Sequence, residues 1–231
     1  MTTELAQLWQ AVDDCSDCRQ ASNSLRHIMG GGLESEPDMM FIFINPTHRN
    51  ITSRADYDGP RFPFLGTSEI WRVFADAGLL ERDLISWIDN GWNQDLIAKV
   101  ICTVRDAGFY FTNLVKCTQP DSRMPSRKMI RKKLDLLVRE ISIVHPKLIV
   151  AFGALPFKTL SNAELKLATH YENQISSVDL LTYPSIPVLG ETFRVFPCYF
   201  PVGRGDRKRA VELLKVLKNA LRHHTTALSS K

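Results

Sequence analysis

Apolar and polar positions alternate along this chain in two rhythms. Leu5, Leu8, Trp9 and Val12 recur at helical spacing and predict an amphipathic helix at the start. Met39-Met40-Phe41-Ile42-Phe43-Ile44 is instead an unbroken apolar run of strand length, the pattern of a strand buried on both faces, and Asn45-Pro46-Thr47 stops it. Thr67-Ser68-Glu69 opens a helix carrying Ile70, Val73, Phe74 and Ala77, which Gly78 ends; Trp71 lies on or beside the same face. From Leu80 to Ala107 the pattern predicts one or two further helices around Gly91, with Trp87 and Trp92 packing them. Phe109 to Cys117 is rich in aromatic and β-branched residues and predicts a second strand.

After Pro125 and Ser126 comes a long basic-faced helix with Ile130, Leu134, Leu137, Val138 and Ile141 inward, ending at His145-Pro146. Lys147 to Phe152 predicts a third buried strand, turned by Gly153 into a helix over 154–161. Pro187 to Pro201 has the look of a hairpin entering a last strand. Val202-Gly203-Arg204-Gly205-Asp206 is then a flexible loop, with Asp206 capping a final helix that turns Val211, Leu214 and Leu217 inward. Alternating strands and helices predict an α/β fold, a three-layer α/β/α sandwich with a central, mainly parallel, four-stranded sheet. The 231 residues suit a single domain with a helical insertion at about 80–107.

Charge changes this picture only locally. The net charge of +4 says little about partners, but basic residues gather at Arg123, Arg127, Lys128, Arg131, Lys132 and Lys133, and again at Arg204, Arg207, Lys208 and Arg209. One such run is a solvated helix face; two, each following a strand end, point to a phosphate-tracking surface on the rim that carries Asn45. No stretch is long and apolar enough to cross a bilayer, and the first residues lack a basic segment followed by an apolar one, so a cytoplasmic protein is expected.

Three places carry candidate chemistry. Pro46 pushes Asn45 out of the helical region, so its amide leaves the strand end in a restricted direction, toward a ligand or into an Asx turn. Gly59-Pro60-Arg61-Phe62-Pro63-Phe64-Leu65-Gly66 holds two aromatics between prolines and glycines, as a pocket wall for a planar ring or as a loop tucked onto the core. Cys15-Ser16-Asp17-Cys18 has the spacing that turns two thiolates onto one metal or cluster, open among zinc, iron–sulfur, redox use and unligated thiols. A glycine-rich turn at Gly30 to Gly32 leads into the first strand, and Asn113 stands near the end of the second.

In this order the motifs resemble the uracil-DNA glycosylase superfamily, the N-terminal half most of all its iron–sulfur branch. The resemblance rests on Cys15-x-x-Cys18, Arg26, the glycines before Met40-Phe41-Ile42, the Gly59 to Gly66 loop, Thr112-Asn113-Leu114-Val115-Lys116-Cys117 and His145 to Gly153. It implies a glycosylase that flips uracil or a related deaminated base out of DNA. Phe64 would stack on the base, Asn113 would read its edge, and Phe43 and Phe200 would line the pocket. Arg204 would lie in the wedge loop, with Arg207, Lys208, Arg127 and Lys128 on the DNA backbone. Cys15, Cys18 and Cys117 would hold a [4Fe–4S] cluster. Its fourth ligand is absent, because the matching helix position falls near Lys133; Cys102 is the candidate substitute, ahead of Cys198.

Two departures matter. Phe43-Ile44-Asn45-Pro46-Thr47 is closer to the Asn-Pro motif of the mismatch-specific and single-strand-selective branches, which makes Asn45 the candidate for positioning the attacking water, while Phe43 and Thr47 replace glycines. Phe200 falls where relatives carry a histidine. A binding protein on the same fold, with little or no turnover, is the alternative. A small-molecule α/β enzyme is weaker, since no glycine-rich phosphate motif follows a strand.

Overall fold

The computed structural model describes residues 3–15, 25–120, 123–176, 178–180, 183, 185–188 and 191–229. In chain order its elements are α1 (Thr3–Asp13), β1 (Gly31–Gly32), β2 (Met39–Phe43), α2 (Glu69–Asp76), α3 (Asp83–Asp89), α4 (Gln94–Asp106), β3 (Phe109–Asn113), α5 (Arg127–Val144), β4 (Ile149–Phe152), α6 (Ala154–Ser161), α7 (Leu167–Gln174), β5 (Ser185–Val188), β6 (Glu191–Cys198) and α8 (Arg207–Ser229). The four expected strands are present, with parallel pairing, in the α/β class expected of a three-layer sandwich. Two short antiparallel strands add to them. One of these, β1, takes the glycines expected to form only a turn. No helix among the described residues is long and apolar enough to cross a membrane.

The chain divides into two compact units, Met1–Thr67 with Trp92–Lys147, and Ser68–Gly91 with Leu148–Lys231. In the first, β2 pairs parallel with β3, Met39 opposite Phe109 through Phe43 opposite Asn113, and β1 pairs antiparallel with the other edge of β3. Every residue of β2 and β3 is buried, as continuous apolar runs require when both strand faces are covered. Phe41 packs on Phe109 and Phe111, with ring centroids 5.4 and 5.2 Å apart. Helix α5 starts where Ser126 accepts a bond from the Met129 N–H (3.2 Å) and ends at His145 in the left-handed region.

The α5 face differs from expectation at three positions. Lys133, expected in the solvated basic run, and Glu140 are both buried, whereas Leu134 is only half-buried. Both lie on the stripe that carries Ile130, Leu137 and Ile141 inward, and both have polar partners there. Gly30 leaves room for one of these groups, since a Cβ there would lie 2.1 Å from Glu140 Oε1 and 2.5 Å from Tyr110 Oη.

In the second unit β4 pairs parallel with β6, and β5 with β6 forms the expected antiparallel hairpin. Trp71 on α2 is fully buried, while Trp87 on α3 is 39% exposed. Asp206 caps α8 by accepting from the Arg209 N–H at 3.0 Å.

Candidate functional site

Within the first unit, the carboxyl ends of β2 and β3 carry the two candidate asparagines. The chain leaving β2 stays laced to the chain leaving β3. Leu114 N–H donates to the Phe43 carbonyl (2.7 Å), Val115 N–H to Ile44 (3.0 Å) and Gln119 N–H to Pro46 (3.0 Å), and Thr47 bridges Gln119 in parallel. This holds Asn45 at a fixed place beyond the strand. Its Nδ2 donates to the carbonyls of Pro46 (3.1 Å) and Arg123 (3.3 Å). No donor among the described residues reaches its Oδ1. The amide is thus anchored by its nitrogen and presents an acceptor.

Asn113, opposite Phe43 in the ladder, is 1% exposed, and its Oδ1 is a buried acceptor with no partner among the described residues. Leaving such an atom unpaired costs about 1–3 kcal/mol. Below it lies a buried polar network. Lys116 Nζ forms an ion pair with Glu140 and donates to Thr112 Oγ1 (2.6 Å) and the Asn113 carbonyl (2.7 Å). Tyr110 Oη and Thr112 Oγ1 each donate to Glu140 at 2.9 Å. Burial pulls the Lys116 ammonium pKa down, with Glu140 acting against it, and burial together with Glu140 pushes the Tyr110 hydroxyl well up.

The Gly59 to Gly66 loop divides its two aromatics between core and site. Phe62 is buried against Phe111, whereas Phe64 stays half-exposed with φ at +64°, a strained value for a bulky residue. Phe64 meets the Phe43 ring edge to face, centroids 4.5 Å apart, and Phe43 itself is 1% exposed and stacks on Phe111. Asn50, which the sequence did not single out, holds this loop by accepting from Phe64 N–H at 2.6 Å and donating to the Thr47 carbonyl at 2.9 Å. Arg61 clamps Asp13 at the end of α1 through two bonds of 2.5 and 2.6 Å. Burial would raise the Asp13 carboxyl, but the bonded guanidinium outweighs it and holds the pKa below the usual value.

Of the expected DNA contacts, Arg127 and Lys128 are exposed at the start of α5, just past the Arg123 carbonyl that anchors Asn45. Phe200 and Arg204 belong to the second unit, with Phe200 half-buried after β6 and Arg204 exposed. Their loop is tight, since a Cβ on Gly205 would lie 1.7 Å from the Phe200 carbonyl oxygen. Lys208 is exposed, and Arg207 pairs with Asp76 at 2.6 Å. Arg209 lies over the rings of Tyr171 and Tyr199, 5.1 and 5.4 Å from their centroids.

Among the described residues the cysteines do not gather into a set of metal ligands. Cys15 follows α1, half-buried, with its Sγ 2.5 Å from Lys133 Nζ. Cys117 is buried and disulfide-bonded, and Cys18 lies outside the described residues. Cys102 is exposed on α4. Cys198 is buried in the second unit, its thiol pushed up by that burial. Among the described residues no three His, Cys, Asp or Glu side chains gather around a point that would hold a metal ion. These residues do not fit a cluster of four cysteine ligands.

Two curated proteins are similar in sequence. The Type-4 uracil-DNA glycosylase of Archaeoglobus fulgidus is 28% identical over 109 residues, which cover 46% of this chain and 52% of that protein. The Type-4 uracil-DNA glycosylase of Pyrobaculum aerophilum is 37% identical over 57 residues, 25% of this chain and 29% of that protein. The matched stretches therefore span about half the length of these relatives, or less. The model of the uracil DNA glycosylase superfamily matches residues 31–222, from β1 into α8 and through both strand ends that carry the asparagines, and the chain belongs to that superfamily.

Proposed function

We propose that this chain is a monofunctional DNA glycosylase that excises uracil or a related deaminated base, acting in the cytoplasm as one glycosylase domain in base excision repair. The observation that carries this reading is the orphaned Oδ1 of Asn113. A buried acceptor at a strand end is satisfied when a ligand brings an N–H, and an amide matches a lactam edge because it can also donate to the neighbouring carbonyl. Uracil, hypoxanthine and xanthine all present that edge after flipping, whereas cytosine presents an acceptor at the ring nitrogen.

The half-exposed Phe64 ring would stack on the flipped base. Asn45 Oδ1 would accept a hydrogen bond from a water and aim its oxygen at the anomeric carbon. As the glycosidic bond breaks, its electron pair leaves on the base nitrogen and spreads over the lactam oxygens. The water oxygen bonds to the anomeric carbon and gives up a proton, which ends on the departing base through solvent, and the products are neutral free base and an abasic site. Arg127, Lys128, Arg204, Arg207 and Lys208 would engage backbone phosphates, with Arg204 in the wedge loop. Phe200 gives the leaving base no hydrogen bond, and one missing donor of that kind costs about 10²–10³ in rate, so turnover is slow.

Phe43 supports the second reading, a damaged-base binder with little turnover, because its ring fills space beside Phe64. The two separate on oligonucleotides carrying uracil, hypoxanthine or xanthine, treated with wild type or Asn45→Ala and then with alkali. Strand cleavage that Asn45→Ala abolishes while keeping DNA affinity is the result expected of the enzyme. Intact strands with every substrate, at protein concentrations that saturate binding, sink the enzyme and leave the binder.

A further inference from the structure

A lysine stands where the α5 helix meets the cysteine motif. Burial along α5 recurs at Ile130, Lys133, Leu137, Glu140, Ile141 and Val144, so position 133 belongs to the inward stripe and not to the basic face. Helix α1 packs against α5, and from the stripe the Lys133 side chain, only 9% exposed, reaches the end of α1 with Nζ 2.5 Å from Cys15 Sγ. Position 133 is thus directed at the first cysteine of the Cys-x-x-Cys pair, across a sequence separation of 118 residues. The resemblance to the iron–sulfur branch expects the fourth cysteine near this position.

An ammonium has three donors and no lone pair, so it gives nothing to iron and does bond to sulfur. Among the described residues no other thiol joins Cys15 there: Cys102 is exposed on α4, and no three His, Cys, Asp or Glu side chains gather to hold a metal ion. We propose that this chain has exchanged the cluster for a metal-free latch, in which the Lys133 ammonium bonded to Cys15 ties the end of α1 to α5, and that, once the Cys117 disulfide is reduced, the residue at position 133 selects between latch and cluster. The Arg61 clamp on Asp13 lies two residues before Cys15, so the latch also steadies the helix end that holds the Gly59 to Gly66 loop.

The test is anaerobic reconstitution of the full chain with ferrous iron and sulfide under a thiol reductant, followed by gel filtration and analysis for iron and acid-labile sulfide, with Lys133→Cys in parallel. Wild type is expected to emerge colourless, with iron near zero. Lys133→Cys is expected to turn brown and carry about four iron and four sulfide per chain, the content of a four-cysteine cluster. A wild-type chain that retains a cluster of any nuclearity overturns the proposal, and that count needs no variant to fold. Lys133→Cys that stays iron-free with wild-type circular dichroism overturns the claim for position 133. Both readouts are independent of excision, so a chain that fails as a glycosylase leaves them unaffected.

Discussion

Asn50 and Phe64 are joined by a 2.6 Å hydrogen bond, from the Phe64 backbone N–H to Asn50 Oδ1, that holds an aromatic residue at φ +64°. Such a conformation costs on the order of 1–3 kcal/mol and persists only where its surroundings enforce it. The same amide donates to the Thr47 carbonyl, so one side chain holds the Phe64 backbone and the loop after Asn45 together. Asn50→Ala leaves both partners without their bond. We expect it to lower stability by about 1–3 kcal/mol and to weaken base capture, read as a raised KM with a smaller fall in kcat. Asn50→Asp keeps the acceptor for Phe64 and loses the donor for Thr47, and should fall between the two. Thermal melts beside single-turnover excision check both effects.

The strand-end asparagines were legible in the sequence for a physical reason. A run such as Met39 to Ile44 has one reading at that length, and Pro46 makes Asn45 its end. The start of α5 was legible because Ser126 caps by a local bond. What stayed hidden depends on distant partners. Lys133 and Glu140 look like any charges on a helix, and their burial follows from Cys15 and from Thr112, 118 and 28 residues away. Helix α7 has His170 as its one buried residue among those described, so it offered no apolar stripe to read. The division of labour between Phe62 and Phe64 turned on which ring meets Phe111, which spacing alone does not encode.

Phe43 stands where the resemblance expects a glycine, stacked on Phe111 with centroids 6.0 Å apart and edge-on to Phe64. On the proposed function its ring would limit the room beside Phe64 for a base. Phe43→Ala should cost about 3–5 kcal/mol in stability, as other large-to-small core changes do. It should also shift relative kcat/KM from uracil toward bicyclic hypoxanthine by about tenfold, the scale of discrimination that pocket volume supplies. Competing oligonucleotides in one reaction, kept well below the melting temperature, measure that ratio. An unchanged ratio in a folded variant would show that Phe43 does not bound the base site.

His170, on α7, packs edge-on to Phe196 at 4.8 Å, and burial lowers its pKa to about 4 while a backbone hydrogen bond at Pro197 acts the other way. In the unfolded chain the group titrates near 6.5, so between that pH and about 4 the unfolded state binds the extra proton. The neutral ring's contribution is therefore complete above pH 6.5 and is lost as the pH falls through this window, at most about 3 kcal/mol before solvent screening reduces it. His170→Phe keeps an aromatic against Phe196 and removes the titration. Urea unfolding at pH 7.5, 6, 5 and 4 should show a steeper decline in wild type than in this variant. Parallel curves would assign the acid sensitivity to other groups.

The Lys116–Glu140 pair lies beside Asn113, the residue proposed to read the base, with the two side chains 3% and 0% exposed. Lys116 Nζ also donates to the Asn113 carbonyl, so the ion pair fixes the backbone from which that side chain projects. Lys116→Met would leave the Glu140 carboxylate buried with only the hydroxyls of Tyr110 and Thr112 as donors. Breaking a buried pair in this way typically costs about 3–5 kcal/mol, whereas replacing both partners by apolar groups is often close to neutral. The double variant Lys116→Met with Glu140→Leu should accordingly be more stable than Lys116→Met alone. Excision should behave differently from stability. In both variants Asn113 loses the bond that steadies its carbonyl, so single-turnover rates should stay depressed in the double variant even where its melting temperature recovers. A double variant that regained the wild-type rate along with stability would limit the pair to a packing role and leave Asn113 positioned by the β2–β3 ladder alone.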